Sequence, residues 1–451
     1  MKKYLIFIIL LLSQAGCKKY LDEKPNNALA LPKDNLENLK LLLYDTNTMN
    51  QQSASAGEIG SDNFYLSDSQ WKTLSQAQPT SANLYIWGRD LFNDNDRNDW
   101  TLTYKVVFNT NLVLDAIKTI SPTASTQTQW NSIKGAALFF RAYSFLQLLQ
   151  EFAKPYDEST SAADLGIAIR LTPDITDKST RATVKQSYAQ VLQDLQEAVG
   201  LLPLTSDFKT TPNKAAANGL LARTYLLMGD YQQALVFANA CLKLSPTLVD
   251  FNNLSASAAY PISRYNDEVT FHATLFQLTA YGTSYARVSD ELYALYNNND
   301  LRRTIFYKNG GIGNITFKGS YDGSRVCFGG IATDEIYLIY AECAARTGNI
   351  SDAMDKLNSL LLKRWKTGTF NPITANDSST ALRSVLEERR KELVFRNLRW
   401  ADLRRLNKET AFSKTLTRIV DGKNYMLTPN DAKFTFPLPN KVVQLSGMNQ
   451  N

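Results

Sequence analysis

At 451 residues, 44% hydrophobic and 11% aromatic, the chain has ample apolar material for a packed core and is not of disordered composition. Its formal net charge is +6, and removal of residues 1–16, which carry Lys2 and Lys3 and no acid, leaves +4, too small and too dispersed a charge to argue for nucleic acid. One histidine, His272, and four cysteines with no pair at metal-ligand spacing argue against a metal cluster and against a disulfide framework, and no cofactor is expected.

The N-terminus begins with a basic pair, continues through an unbroken apolar run at 4–12, and reaches Ala15-Gly16-Cys17. This pattern predicts a secretory signal at 1–16, too short for a bilayer span. The small pair before the cysteine resembles a lipobox, where cleavage would free Cys17 for lipidation. Gln14 stands where that pattern usually has leucine, and the alternative is an ordinary secretory signal with an incidental cysteine. Residues 17–27 read as a short polar tether, and 28–451 as a single domain. No later segment is long and apolar enough to span a membrane.

Helical periodicity then dominates. Leu36, Leu39, Leu42 and Leu43 mark one amphipathic helix. Residues 53–98 are polar and read as loop, studded with Trp71, Tyr85 and Trp87. The stretch 99–120 is helical, with Tyr104, Val107, Phe108, Leu112 and Ile117 on its apolar side, and closes at Pro122. Residues 129–152 repeat the pattern with Ile133, Ala137, Phe140, Ala142 and Leu146; 184–202 do so again and stop at Pro203.

Residues 215–246, AAANGLLARTYLLMGDYQQALVFANACLKLSP, resemble a tetratricopeptide repeat. Leu221, Ala222, Tyr225, Gly229, Tyr231, Ala234, Phe237, Leu242 and Pro246 fall at its offsets, small residues standing where paired helices touch and glycine at the sharp turn. Tyr340, Ala341, Cys343, Gly348, Asn349, Ala353 and Leu357 repeat the pattern. The units, near 213–246 and 334–364, are not in tandem; between them 249–331 is rich in Ser, Asn, Gly and Tyr and reads as loops with short strands. Cys241 and Cys343 fall at small core positions, which favours buried free thiols. Long loops on a rigid helical scaffold commonly carry binding surfaces.

Sugars are held by aromatic faces stacked on their C–H faces, with polar groups taking the hydroxyls. The first loop offers Trp71, Tyr85, Trp87 and Arg89, with Asn93 and Asp96 nearby; the insertion offers Tyr281, Tyr285 and Arg287, with Tyr321 beyond. The alternative is that these aromatics are core or loop anchors, and for any one of them that reading is favoured. Catalysis is poorly supported. The adjacent acids Asp290/Glu291, Asp334/Glu335 and Glu387/Glu388 diverge by about 100° on a helix, whereas glycoside hydrolysis needs two carboxylates facing across a cleft. His272 lies in a strand-like run, EVTFHATLF, and reads as structural. Gly310-Gly311-Ile312-Gly313 lacks a following lysine and helix, and reads as a turn rather than a phosphate loop. The charged run 387–405, interleaved with Leu393, Phe395, Trp400 and Leu403, suits a helix packed on the core with Glu388, Glu392 and Asp402 pairing nearby arginines.

Seven blocks in order resemble the SusD/RagB family: CKKYLDEKP (17–25), YKVVFNTNLVLDAI (104–117), IKGAALFFRAYSFLQLLQEFAKPY (133–156) centred on Arg141, ELYALYNNNDLR (291–302), DEIYLIYAECAARTGN (334–349), ERRKELVFRNLRWADLRRL (388–406) and FTFPLPNKVV (434–443). The resemblance implies a mainly α fold of tetratricopeptide-like helical pairs with a loop-rich, variable insertion. It implies a lipoprotein on the surface of a Bacteroidetes-type outer membrane that binds nutrient oligosaccharide or polysaccharide without catalysis. It also implies a partner, a SusC-like TonB-dependent transporter over which the lipoprotein sits as a lid. Alternatives are a peptide-binding member of the same family, a tetratricopeptide-type scaffold for another protein, and a glycosidase.

Overall fold

The computed structural model describes residues 35–89, 91–92 and 97–451. The leader, Cys17 and the tether lie outside the described residues, as do Asn93 and Asp96.

Most long helices begin at a residue whose side chain accepts from an open N–H of the first turn. Asn35 does this for α1 (Leu36–Leu43) and Ser67 for α2 (Asp68–Ala77). After α3 (Pro79–Tyr85), Asn98 caps α4 (Asp99–Ile117). Beyond α5 (Gln127–Phe152), Thr183 forms a capping box with Gln186 at the start of α6 (Val184–Leu201). Asn213 caps α7 (Lys214–Met228), Asp230 caps α8 (Tyr231–Leu244), and Asn349 caps α10 (Ile350–Leu362), which follows α9 (Thr333–Arg346). Asp377 caps α11 (Ser378–Glu392), and α12 (Arg399–Leu406) follows.

The fold is mainly helical, as the periodicity predicts. Helix α4 packs on α5, α5 on α6, α6 on α7, α7 on α8, α8 on α9, and α9 on both α10 and α11. The two repeat units, separated by 249–331 in sequence, therefore stack directly, and the insertion loops out of an unbroken helical layer. Each repeat turns at a glycine in the left-handed region: Gly229 at φ 79° and Gly348 at φ 84°. There Gly229 N–H donates to Leu226 O at 3.1 Å and Asp230 N–H to Tyr225 O at 3.0 Å, and Asp230 at once caps the next helix. A side chain at Gly229 would meet nothing closer than the Tyr231 hydroxyl, at 4.0 Å, and its cost there would be the strain of a left-handed backbone. Cys241, Cys327 and Cys343 are buried free thiols.

One region departs from expectation. Residues 53–98, expected as loop, contain α2 and α3. The apolar stripe of α2 is short, with Leu74 its only fully buried residue, and so leaves little periodicity to read. The helix is set by the Ser67–Gln70 capping box, and α3 by Pro79 in its first turn.

The insertion is fixed to this scaffold by short strands and buried charge. Strand β1 (Phe64–Tyr65) pairs antiparallel with β3 (Arg287–Val288), β2 (Val269–Phe271) with β6 (Ile331–Ala332), and β4 (Tyr307–Asn309) with β5 (Ile315–Phe317). A hairpin, β7 (Leu416–Val420) and β8 (Lys423–Leu427), follows α12. The charged run is buried and paired. Arg302 of the insertion meets Glu388 at 2.6 Å and Glu392 at 2.9 Å, Arg389 and Arg405 both meet Asp402, and Arg405 also holds Glu342. Arg141, centre of the second long helical block, grips Asp194 at 2.8 and 2.7 Å and Asn111 at 3.0 Å, tying α4, α5 and α6 together.

Candidate functional site

The aromatics offered as stacking platforms are largely interior, which corrects that assignment and agrees with the core-anchor reading favoured for each. Trp87 is 3% exposed, and its indole N–H donates to Gly60 O at 2.9 Å. Tyr85 is 2% exposed, and its hydroxyl accepts from Leu66 N–H at 2.9 Å. The Arg418 guanidinium lies 3.8 Å from the centre of the Tyr85 ring and 4.5 Å from that of Trp87, so each ring already has a cation against one face. Tyr281 is 5% exposed, with its hydroxyl donating to Phe276 O, and Tyr321 is buried against Glu268. Trp71 is half-buried and donates to Ala82 O at 3.3 Å; Tyr285 is half-buried against the core; Arg89 is exposed. The structure does not gather these residues into one open face.

A different part of the insertion forms an open cleft of about 1020 Å³, lined entirely by residues between 256 and 318. Its floor is the β4–β5 hairpin, whose turn closes with Gly310 N–H on Asn314 O and Asn314 N–H on Gly311 O, each at 3.0 Å. Here Gly310–Gly313 is a hairpin turn, as expected. Beneath it Tyr307 is buried against Tyr293 and Tyr296, its hydroxyl 2.9 Å from that of Tyr296. Tyr293 sits on the short helix Asp290–Ala294, half-buried. The Arg303 guanidinium covers its ring at 4.7 Å and donates to Tyr296 O and Asn298 Oδ1, each at 3.0 Å.

The far wall is 256–260, which ends on Tyr260, 44% exposed. Lys318 pins this wall to the hairpin by donating to Ala256 O at 2.6 Å and Ala258 O at 3.2 Å. Arg287 of β3 closes one end, donating to Thr283 O at 3.0 Å. Lys308, Asn309, Asn314, Thr304 and Thr316 supply further polar groups. The cleft therefore combines aromatic rings with a dense set of hydrogen-bond donors on a braced support. Of the described residues anticipated from sequence, only Arg287 reaches it. Tyr260 follows a Ser/Ala-rich stretch, SASAAYP, where a lone tyrosine has no packing partner nearby in sequence; that was the available signal.

The chemistry elsewhere is structural. His272 Nε2 lies 3.2 Å from Asp322 Oδ1, and the ring is enclosed by Tyr265 and Phe328. A close carboxyl pair exists in Asp99 and Glu151, but it is buried. Asp99 Oδ2 accepts the Ser55 and Ala56 N–H groups, each at 2.7 Å, and Glu151 Oε1 accepts that of Gly57 at 3.0 Å, so the pair anchors the 55–57 backbone beyond reach of a sugar. Burial, and next the neighbouring Asp99, hold the Glu151 carboxyl well above the usual carboxylate range.

Comparison with known proteins gives a consistent picture. A family model described as starch-binding, associating with the outer membrane, matches residues 19–226, and the model of the SusD family matches 332–451. A curated relative, SusD-like protein P2 of Formosa agariphila, is 26% identical, with 90% of this chain and 91% of that protein covered. Among solved structures, a SusD superfamily protein of Bacteroides vulgatus superposes with a TM-score of 0.74 at 21% identity, over 93% of this chain and 99% of the other. A SusD superfamily protein of Bacteroides thetaiotaomicron gives 0.72 at 20%, over 92% and 99%. A laminarin-binding SusD-like protein gives 0.66 at 16%, over 92% and 98%.

Proposed function

This chain belongs to the SusD family of carbohydrate-binding, non-catalytic proteins, and on that premise we propose that it captures a nutrient glycan in the 256–318 cleft and passes it to a SusC-like TonB-dependent transporter. The observation that carries the reading is the exposed Tyr260 ring, set across an open cleft from Tyr293 and ringed by amide, hydroxyl and guanidinium donors. A half-exposed tyrosine gives a sugar a rigid apolar face at low entropic cost. Arg303, Asn309 and Asn314 stand in position to take ring hydroxyls.

If so, Tyr260→Ala weakens glycan binding by roughly 1–3 kcal/mol, the scale of a binding hot spot. The thermal midpoint stays unchanged, because the ring supports little of the core. Calorimetric titration beside a melt reads both quantities. Unaltered affinity would move the site elsewhere.

The lipid anchor belongs to the same proposal. No described helix is long and apolar enough to cross a membrane, and the Ala15-Gly16-Cys17 sequence supports lipidation of Cys17 at the outer membrane. Cys17→Ala is expected to release the protein from washed membranes of cells lacking the transporter. Continued retention there would exclude Cys17 as the anchor.

A further inference from the structure

We infer that the glycan taken by this cleft is anionic, a chain bearing carboxylate or sulfate groups. The inference rests on the reading of the cleft as the glycan site and goes beyond it to the class of ligand.

Four cations line the cleft, Arg287, Arg303, Lys308 and Lys318, and no aspartate or glutamate does. None of the four makes an ion pair among the described residues. Their partners are neutral: Arg287 holds the Thr283 and Ala286 carbonyls, Arg303 the Tyr293 hydroxyl, the Tyr296 carbonyl and Asn298, and Lys318 the Ala256 and Ala258 carbonyls. Lys308 is exposed at the hairpin.

The contrast with the adjacent residue is informative. Arg302 meets three carboxylates, Asp300, Glu388 and Glu392. Arg303, next in sequence and facing the cleft, meets none. Of these two neighbouring guanidinium groups, the interior one is neutralised by carboxylates and the one at the cleft is not. Burial depresses the Lys318 ammonium, and the nearby Lys308 charge depresses it further, so the two lysines repel each other across the hairpin. An oxyanion between them would relieve that repulsion and form charge-assisted hydrogen bonds, stronger than those a sugar hydroxyl can make. Low-dielectric walls lined by one sign of charge also concentrate ligands of the other sign. A neutral glycan could use the tyrosines and amides, but it would leave this charge unanswered.

The test uses the full chain in detergent, titrated calorimetrically with oligogalacturonate as the carboxylate probe, carrageenan oligosaccharides as the sulfate probe, and laminari-oligosaccharide as the neutral one. At least one anionic probe is expected to bind more tightly than the neutral one. Its affinity should fall several-fold between about 0.05 and about 0.5 M salt, because charge pairs at an open cleft are screened. Lys308→Gln should cost roughly tenfold in affinity at low salt, while Lys105→Gln, on the exposed side of α4, leaves it unchanged. Which anionic probe wins separates a uronate from a sulfated chain. The inference is overturned if neither anionic probe binds, if Lys105→Gln weakens binding as much as Lys308→Gln, or if the neutral probe binds as tightly as the anionic ones. In that last case a loss in Tyr260→Ala would show that the cleft is still the glycan site. If a glycan binds and neither Tyr260→Ala nor Lys308→Gln affects it, the reading of the cleft itself fails.

Discussion

Trp87 shows how a single residue can mislead. It stands in a polar stretch, between Tyr85 and Arg89, and nothing near it in sequence announces a partner. Its partner is Arg418, whose guanidinium covers both Trp87 and Tyr85 and donates to the carbonyls of Tyr85, Ile59 and Ser61. Tyr85 and Arg418 are 333 residues apart. No carboxylate bonds to Arg418 among the described residues; burial presses its pKa down to about 10. The aromatic faces and carbonyls together hold a cation that would otherwise be costly to bury. Removing the indole would open a cavity and uncover that cation. Trp87→Ala is accordingly expected to lower stability by about 3–5 kcal/mol, read as a lower midpoint in denaturant. At temperatures where the variant stays folded, glycan affinity should match that of the parent. A parental midpoint with lost binding would restore Trp87 to the site.

At the scale of elements, what was legible in the sequence was whatever local chemistry decides. The helices at 99–117, 127–152 and 184–201 follow from apolar periodicity and proline stops, and the two repeat turns from a glycine followed by an Asx cap. Several of the family blocks carry buried, paired arginines. Arg141 is fixed by Asp194 and Asn111, Arg396 by Asp334, and Arg405 by Glu342 and Asp402. Helix α2 was illegible because its inward stripe is too short to set a period. The cleft was illegible for a different reason. Its walls are 256–260, 283–287, 293–304 and the β4–β5 hairpin, joined by side chain to backbone bonds such as Lys318 to Ala256 and Ala258. Such bonds leave no period and no spacing in the sequence. The insertion as a whole could be picked out by its composition as loops with short strands; which of its tyrosines remain exposed is decided by long-range contacts.

At the scale of the whole molecule, a buried electrostatic junction joins the insertion to the C-terminal helices, and that junction predicts a pH dependence. Arg302, Arg364 and Lys391 supply three positive charges; Asp300, Glu388, Glu392 and Glu268 supply four negative ones. The excess carboxylate falls on Glu268. It accepts from Arg364 at 2.8 Å and Val249 N–H at 2.7 Å through Oε1, and meets the Tyr321 hydroxyl at 2.6 Å through Oε2. Burial raises its pKa most; Arg364 opposes this, Asp334 and Glu392 add to it, and the result is about 7. The folded protein therefore holds a proton that the unfolded chain, with an ordinary glutamate near 4.5, has already released. Folding stability from this group is fully present below pH 4.5 and is lost as pH rises to 7. The loss is bounded at roughly 3–4 kcal/mol, since each pKa unit is worth about 1.4 kcal/mol. Opposite behaviour is expected from Asp402, held down to about 2 by Arg389 and Arg405 against the cost of burial. Its contribution is present above pH 3.8 and is lost as pH falls toward 2. Stability should thus peak on the acid side of neutrality. Glu268→Gln isolates the Glu268 contribution, because an amide keeps Oε1 as acceptor for Arg364 and Val249, offers an N–H to Tyr321, and cannot ionise. Melts at pH 5 and pH 8 should show the parent losing more midpoint than Glu268→Gln over that interval. Equal losses in the two proteins would mean that the excess charge is carried elsewhere in the junction.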